Sequence, residues 1–101
     1  MLAQFTRTNI LLGEANLAKL TNKHILIAGV GGVGGYVVEA IARAGVGKIT
    51  IIDNDVVDIT NINRQLISNL DNVGKAKVDE FSQRIKLINP EVELVSLPVF
   101  I

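Results

Sequence analysis

A glycine-rich loop lies between an apolar run and a helix-like segment near the start of the chain. The apolar run, HILIAGV at 24–30, predicts a buried β-strand that ends in glycines. Gly29, Gly31 and Gly34 fit the pattern G-x-G-x-x-G. In that pattern the first glycine permits a tight turn, the second lets the backbone approach a phosphate, and the third lets helix and strand pack closely. The loop therefore predicts a strand–loop–helix unit whose helix, starting at Gly32, offers its N-terminus to an anion.

The rest of the chain continues this alternation of strand and helix. Apolar residues from position 33 to 42 share one helical face, and Gly45 closes that helix. KITIID predicts a second strand, residues 75–87 a second helix of this kind, and VELVSL a third strand. We expect residues 1–22 to form a helical arm that is broken at Gly13, and residues 23–101 to form a β-α-β-α-β unit. This order predicts an α/β fold, with a Rossmann-like parallel sheet and flanking helices.

Three strands are about half of what a doubly wound sheet contains. We therefore expect the chain to be an incomplete, N-terminal portion of such a domain, with a sheet edge and one sheet face uncovered. The last residues, Val99, Phe100 and Ile101, are apolar and would add to the exposed surface.

Composition excludes several classes of function. Ten basic and ten acidic side chains give a net charge of zero, so no overall field attracts nucleic acid or membranes. The 101 residues include no cysteine, which excludes disulfides, thiolate nucleophiles and cysteine-bound zinc within the chain. No secretory signal and no membrane-spanning apolar run are visible. We expect a cytoplasmic protein without a membrane partner.

An acidic pair follows the second strand. Asp53 lies 19 positions beyond Gly34, where a carboxylate accepts hydrogen bonds from ribose hydroxyls. Asp55 stands two residues further on. The ribose of NAD and the ribose of ATP would both suit such a site, so the glycine loop and Asp53 indicate a nucleotide and not a reaction. The alternative is that both acids are solvated residues of a turn.

The next segment, TNINRQ, favours ATP over NAD. Hydride transfer needs no cation over the adenosine half of its cofactor, whereas nucleotidyl transfer does, because negative charge grows on the departing pyrophosphate. Arg64 offers a bidentate donor close to the glycine loop, and Lys77 offers a second cation at the start of the next helix. Asn61 and Asn63 could orient phosphate or base through their amides. The alternative is that Arg64 and Lys77 are surface charges.

Two longer stretches carry a family resemblance. GVGGVGGYVVEAIARAGVGKITIIDNDVVDITNINRQL, followed by NVGKAKVDEFSQRIKLINP, resembles the ThiF-type adenylate-forming superfamily, which includes ubiquitin-activating enzymes and sulfur-carrier adenylyltransferases. Within it, the opening FTRTNILLGEANLAKL and the motif TNINRQL are most similar to the branch of the tRNA threonylcarbamoyladenosine dehydratases. The resemblance covers residues 5 to 97.

The resemblance implies an ATP site and a reaction. In that branch ATP activates a carboxylate on a modified adenosine of tRNA, and loss of water then closes a ring. An arginine of the family reaches the ATP site of the neighbouring subunit of a homodimer, and Arg7 matches it. The implied ATP-site residues, of which Arg64 and Lys77 would face the phosphates, are Gly29, Gly31, Gly32, Gly34, Asp53, Asp55, Thr60, Asn61, Asn63, Arg64 and Lys77.

The Mg²⁺ ligand has no position in this chain, and three other functions compete with the dehydratase reaction. The family's Mg²⁺-binding aspartate matches no position of this chain and is expected beyond its end, so we predict no metal ligand within it and no activity of the 101 residues alone. A sulfur-carrier or ubiquitin-like protein adenylyltransferase would need a partner protein with a flexible diglycine tail. A non-catalytic nucleotide-binding module is the third possibility. An NAD-dependent dehydrogenase ranks last, because it leaves Arg64, Lys77 and Arg7 without a role.

Overall fold

The computed structural model describes residues 3–100, apart from the side chains of residues 6 and 8. Ile101, the last residue of the apolar C-terminus, lies outside the described residues. A 3-10 turn (Ala3–Phe5) is followed by helix α1 (Thr6–Leu12) and helix α2 (Glu14–Thr21). Strand β1 (His24–Ala28), helix α3 (Gly32–Ala44) and strand β2 (Lys48–Ile52) come next. A second 3-10 turn (Ile59–Asn61) precedes helix α4 (Lys77–Ile88) and strand β3 (Glu93–Leu97).

The three strands form one parallel sheet in the order β1-β2-β3. Their register pairs His24 with Lys48, and Lys48 with Glu93, so all three strands start at the same level. The predicted α/β fold, a parallel sheet with flanking helices, is confirmed. Helix α4 begins two residues later than predicted, because Ala76 is extended and pairs in antiparallel fashion with Val56.

Helices α3 and α4 cover the same face of the sheet. Phe81 and Ile85 of α4 and Val38 of α3 are fully buried against the sheet, and Glu39 of α3 accepts a hydrogen bond from the guanidinium of Arg84 of α4. Both helices can cover one face because each crossover moves one strand further in the same direction. The buried apolar core consists of Ile27, Val30, Val38, Ala42, Val46, Ile49, Ile51, Ile67, Val78, Phe81, Ile85 and Val92.

The opposite face of the sheet carries no helix within residues 3–100. Side chains alternate along a strand, so His24 and Leu26 of β1 point away from the core that contains Ile27. Leu26 is 61% exposed, and the His24 imidazole Nε2 lies 2.7 Å from the Thr50 hydroxyl of the neighbouring strand. The uncovered face that the sequence predicts is therefore present, and His24 makes a local strand-to-strand contact on it.

The N-terminal arm packs at the far end of α3. Gly13, with φ of +81°, separates α1 from α2 and breaks the arm where the sequence predicts. Phe5 and Leu17 are buried, and both lie against Gly45, the C-cap of α3. The side-chain amide of Gln4 donates to the carbonyl of Ile88 at 2.6 Å. The arm is thus anchored at the helix end that is remote from the glycine loop.

Candidate functional site

The glycine loop makes a tight turn between β1 and α3. Gly29 adopts φ of +88° and Gly32 φ of +51°, in the left-handed region that side chains disfavour. The N–H of Gly29 donates to the carbonyl of Ile52 at 2.7 Å, which holds the turn beside the end of β2. Helix α3 then begins with Gly31 as its N-cap and without a side-chain capping hydrogen bond. Its first N–H groups therefore remain available to an anion.

Two later glycines let the helix approach the strand. A Cβ on Gly34 would lie 1.9 Å from the carbonyl oxygen of Gly29, so no other residue fits there without moving the loop. This is the packing role that the G-x-G-x-x-G pattern assigns to its third glycine. A Cβ on Gly35 would lie 2.8 Å from the ring of Phe81. Gly35 was missed by the motif, and its only sequence signal is its place in the glycine run.

The carboxylate of Asp53 joins the glycine loop to the segment after β2. Its Oδ2 accepts from the N–H of Val30 at 2.9 Å, and its Oδ1 accepts from the N–H of Asp55 at 2.7 Å. Asp53 is 8% exposed, so it is not a solvated acid of a turn. A carboxylate has about four acceptor positions, so Asp53 retains capacity for ribose hydroxyls. Its role with ribose stays a prediction.

Lys77 is buried beside this acidic segment. It is 5% exposed, which rules out the interpretation of Lys77 as a surface charge. Its N–H donates to the carbonyl of Asp55 at 3.0 Å, and its Nζ lies 3.9 Å from the exposed carboxylate of Asp55. Because a buried ammonium is costly unless it is paired, and 3.9 Å is long for a hydrogen bond, Lys77 retains donors for a second anion.

The segment that carries Arg64 is held by a capping box. Asp58 Oδ1 accepts from the N–H of Thr60 at 2.9 Å and from its hydroxyl at 2.7 Å, while the N–H of Asp58 donates to Oδ1 of Asn61 at 2.9 Å. The Thr60 N–H, its hydroxyl and the charge of Lys77 lower the pKa of Asp58. The side-chain oxygens of Thr60 and Asn61 therefore stabilise this turn, a role that the motif does not predict. Any contact with a nucleotide by Thr60 or Asn61 stays a prediction.

Asn63 and Arg64 follow the capping box on the surface. Both are exposed, and the Arg64 guanidinium makes a 3.5 Å contact with the carbonyl of Thr60. The N–H groups of Arg64 and of Gln65 share the carbonyl of Asn61 as their acceptor, at 3.1 and 2.9 Å. The backbone of this turn is thus fixed, while most of the donors of the exposed Arg64 guanidinium remain available to an anion. The surface-charge alternative remains for Arg64.

Gln65 brings this segment onto the glycine loop. An ideal Cβ on Gly31 would lie 3.2 Å from both amide atoms of Gln65, so the carboxamide occupies the space beside the second glycine of the motif. The sequence motif assigns no role to Gln65, whose only signal is its place next to Arg64.

Arg7 is the one candidate that lies elsewhere. It is exposed and stands two residues from Phe5, which is anchored at the C-terminal end of α3. Helix α3 has 13 residues, and at about 1.5 Å per residue it separates Phe5 from the glycine loop by roughly 20 Å. Within one chain, consecutive contacts connect the glycine loop with Asp53, Asp55 and Lys77. Gln65 connects the Thr60–Arg64 segment to the same loop. Arg7 lies outside this site.

A pocket opens between the glycine loop and the end of β3. Its volume is 170 Å³, and Gly29, Asp53, Asn54, Val99 and Phe100 line it. Such a position, outside the carboxyl ends of parallel strands, is where open α/β sheets bind ligands. Within residues 3–100, no group of three His, Asp or Glu side chains is placed to hold a metal ion. The helices of that same part of the chain are all too short or too polar to cross a membrane.

The family model of the ThiF family matches residues 5–101. The chain belongs to the ThiF family. The chain is 49% identical over 100 residues to the tRNA threonylcarbamoyladenosine dehydratase of Bacillus subtilis. This alignment covers 99% of the chain and 39% of the dehydratase. It is also 40% identical over 87 residues to the adenylyltransferase and sulfurtransferase UBA4 of Saccharomyces cerevisiae, with 86% of this chain and 20% of UBA4 covered.

The fold of this ThiF-family chain is similar to that of a relative whose structure was solved with a bound nucleotide. The Escherichia coli tRNA N6-threonylcarbamoyladenosine dehydratase TcdA, solved in complexes with AMP and with ATP, is 44% identical and superposes with a TM-score of 0.93. The superposition covers 97% of this chain and 40% of the TcdA chain. The expected ThiF-type fold is thereby confirmed. The chain spans about two fifths of the length of both dehydratases.

Proposed function

We propose that this chain is the N-terminal, nucleotide-binding part of an enzyme that uses ATP to adenylate a carboxylate, and that its substrate is threonylcarbamoyladenosine in tRNA. The observation that carries the proposal is Lys77, a buried cation that Asp55 and Asp53 link to the glycine loop. Hydride transfer develops no new charge on the phosphates of NAD, whereas the departure of pyrophosphate from ATP does, and a cation at this position would offset that charge. The similarity to dehydratases, one of them solved with ATP and with AMP, supports the same conclusion.

The proposed reaction has two steps. In the first, an oxygen of the substrate carboxylate attacks the α-phosphorus of ATP; a new P–O bond forms, the bond to the bridging oxygen breaks, and pyrophosphate leaves. In the second, a nucleophile within the same substrate attacks the activated carbonyl and gives up its proton to solvent, and AMP leaves with the former carboxylate oxygen. The substrate loses water overall, in agreement with the similarity of this chain to dehydratases. The two steps as proposed need no cysteine from this chain.

Residues of this chain would bind the nucleotide and stabilise the charge that develops. The uncapped N-terminus of α3 would hold phosphate through backbone N–H groups, and Asp53 would accept from the ribose hydroxyls. Arg64 and Lys77 would face the phosphates, where they offset the negative charge of the leaving pyrophosphate. Asp55 would orient the ammonium group of Lys77.

Magnesium would neutralise phosphate charge when it is bound with ATP. The described residues fit it poorly: within residues 3–100 no group of three His, Asp or Glu side chains is placed to hold a metal ion, and Asp55 faces Lys77. We therefore propose that the metal ligand lies outside residues 3–100, and no step here depends on it.

A homodimer would complete the site. Arg7 lies about one helix length from the glycine loop of its own chain, and this separation supports a role at the site of a neighbouring subunit. Ile10 and Leu11 of the same arm are exposed by 77% and 85%, which suits packing of the arm against a second copy. A tRNA substrate and a cytoplasmic location complete the proposal.

One observation favours a second candidate function. The chain shares 40% identity with UBA4, an adenylyltransferase and sulfurtransferase, over the part that holds the glycine loop. A sulfur-carrier adenylyltransferase would use the same ATP site on the C-terminal carboxylate of a partner protein with a diglycine tail. A non-catalytic nucleotide-binding module would bind ATP and release nothing.

The test uses the intact native protein that carries this chain. Calorimetric titration with ATP and with NAD comes first, and we expect ATP to bind and NAD to bind weakly or not at all. Pyrophosphate release is then measured with tRNA that bears threonylcarbamoyladenosine, with the same tRNA unmodified, and with a diglycine-tailed carrier protein. Release with the modified tRNA alone supports the proposal, and release with the carrier protein alone favours the second candidate. NAD binding as tight as ATP binding would overturn the assignment to ATP.

A further inference from the structure

The outer face of helix α3 carries apolar side chains where a surface helix normally carries charges. Val33, Tyr36, Val37 and Ala40 follow the spacing i, i+3, i+4, i+7, so they form one stripe along the helix, which we call the α3 stripe. All four residues are exposed, Val33 by 81% and Tyr36 by 55%. The stripe lies on the opposite side of the helix from Val38, which is fully buried against the sheet.

Helix α4 covers the same face of the sheet and shows the contrast. Within Lys77–Ile88, three of the four exposed residues are polar or charged, namely Asp79, Gln83 and Lys86. Within Gly32–Ala44, Arg43 is the one exposed residue that is charged. A helix that is apolar on nearly all sides is typical of a buried position, and an exposed apolar patch of this kind marks an interaction site. The α3 stripe therefore has the composition of a covered surface.

The two ends of α3 hold different parts of the proposed site. Its N-cap, Gly31, belongs to the glycine loop, whereas its C-cap, Gly45, lies against Phe5 of the N-terminal arm. A two-fold axis that crosses the helices makes them antiparallel. Two copies paired in this way along the α3 stripe would place the arm of each copy at the glycine loop of the other. The length of the helix would then span the roughly 20 Å that separates Arg7 from the glycine loop of its own chain.

Charge favours the antiparallel arrangement over a parallel one. Arg7 and Arg43 are exposed at the arm end of α3, and Asp55 and Asp58 are exposed at the glycine-loop end. An antiparallel pair brings the two cations of one copy towards the two acids of the other, whereas a parallel pair brings like charges together. Arg64 is an exposed cation at the glycine-loop end. Bound ATP would lie between Arg64 and the incoming Arg7, and its phosphates would attract both.

We propose that the α3 stripe is the surface on which two copies of this chain meet, with their α3 helices antiparallel and each arm at the glycine loop of the other copy. The proposal rests on the proposed function, which assigns Arg7 to a neighbouring site. Tyr36 suits such an interface, because its ring buries apolar surface while its hydroxyl finds a hydrogen-bond partner. A stable interface buries about 800 Å² per partner, more than one helical stripe supplies. Ile10 and Leu11 of the arm, exposed by 77% and 85%, would supply further area.

Single cysteines in the intact native protein test the arrangement, because these 101 residues contain none. Any cysteine outside them is replaced by serine. Val37 lies near the middle of α3, so Val37→Cys should give a disulfide-linked dimer on mild oxidation. Val33 lies at one end of α3, so in an antiparallel pair two copies of Val33→Cys are too far apart to join. Gln83→Cys, exposed on α4, is the matched control and should also stay unlinked.

Tyr36→Asp places a charge within the stripe and should shift the intact native protein from dimer to monomer in sedimentation velocity. Pyrophosphate release should fall by about a hundredfold, because Arg7 no longer reaches the neighbouring site. Tyr36→Phe keeps the ring and should remain a dimer, and Gln83→Asp adds the same charge on α4 without effect. Urea unfolding checks that each variant is folded.

Linkage at residue 37 without linkage at residue 33 supports the proposal. Linkage at residue 33 would mean that the helices are parallel and would overturn it. Absence of linkage at residue 37, with a folded Tyr36→Asp protein that stays a dimer, would also overturn it and would mean that the stripe is covered by another part of the intact protein. Linkage at residue 37 alone in a wild-type protein that releases no pyrophosphate would support this surface and count against the proposed function.

Discussion

The carboxylate of Asp53 accepts a hydrogen bond from the backbone N–H of Val30 at 2.9 Å. This bond fastens the end of β2 to the glycine loop, and the second oxygen of the same carboxylate holds the N–H of Asp55. A residue that the motif assigns to ribose binding thus also shapes the glycine loop. Under the proposed function, this one side chain would couple the geometry of the loop to recognition of the ribose.

Replacement of Asp53 should affect stability as well as binding. In Asp53→Ala the buried N–H of Val30 loses its acceptor, and we expect the free energy of unfolding to fall by about 1–3 kcal/mol. ATP affinity should fall further than the loss of folded protein explains. Urea unfolding and calorimetry on the intact native protein measure the two effects. Asp71→Ala, at an exposed loop position, is the control and should change neither. Undiminished stability of Asp53→Ala would show that the Val30 bond does not hold the loop.

Arg64→Ala should slow the chemical step more than it weakens ATP binding, because its charge matters most as pyrophosphate departs. Loss of one such donor costs about 3 kcal/mol of transition-state stabilisation, on the order of a hundredfold in rate. Pyrophosphate release at saturating ATP is the assay. Arg43→Ala, which removes an exposed arginine at the far end of α3, should keep the wild-type rate. A wild-type rate of pyrophosphate release in Arg64→Ala would mean that Arg64 is a surface charge without a role in the reaction.

Arg7 should act on the site of a neighbouring subunit. When Arg7→Ala protein is mixed with Arg64→Ala protein, a mixed dimer has one site with both arginines intact. With equal amounts and free exchange, about half of the dimers are mixed, and each mixed dimer has one intact site of two. Activity should therefore return to about a quarter of the wild-type value. Pyrophosphate release after proven subunit exchange measures this. If exchange occurs and no activity returns, Arg7 serves its own site or none.

The order of strands and helices could be predicted from the sequence because each element carries its own periodic pattern. The roles of Gly29 and Gly34 could also be predicted, because the motif encodes the local geometry that requires a glycine at each position. The burial of Lys77 and the contact of Gln65 with Gly31 could not be predicted. Both depend on the path of residues 53–76, which has no regular period and is set by an antiparallel bridge and a capping box.

The isolated 101-residue chain should associate in solution and release no pyrophosphate. Leu26 is 61% exposed on the uncovered sheet face, and burial of such a side chain contributes about 1.5–3 kcal/mol. Leu26→Ser should shift the chain towards monomers, whereas Leu87→Ser, at an exposed position on α4, should have little effect. Sedimentation velocity measures the association. A clean monomer that releases pyrophosphate with modified tRNA would contradict this expectation.

The most direct test of carboxylate adenylation is to trace one carboxylate oxygen of the substrate into the products. The intact native protein is given ATP and tRNA whose threonylcarbamoyladenosine carries ¹⁸O in its carboxylate, and the nucleotide products are examined by mass spectrometry. Adenylation joins that carboxylate oxygen to the α-phosphorus, so we predict AMP that carries ¹⁸O, together with unlabelled pyrophosphate. Labelled inorganic phosphate formed with ADP would mean that the terminal phosphate is transferred instead, and would contradict the adenylation of a carboxylate at this site.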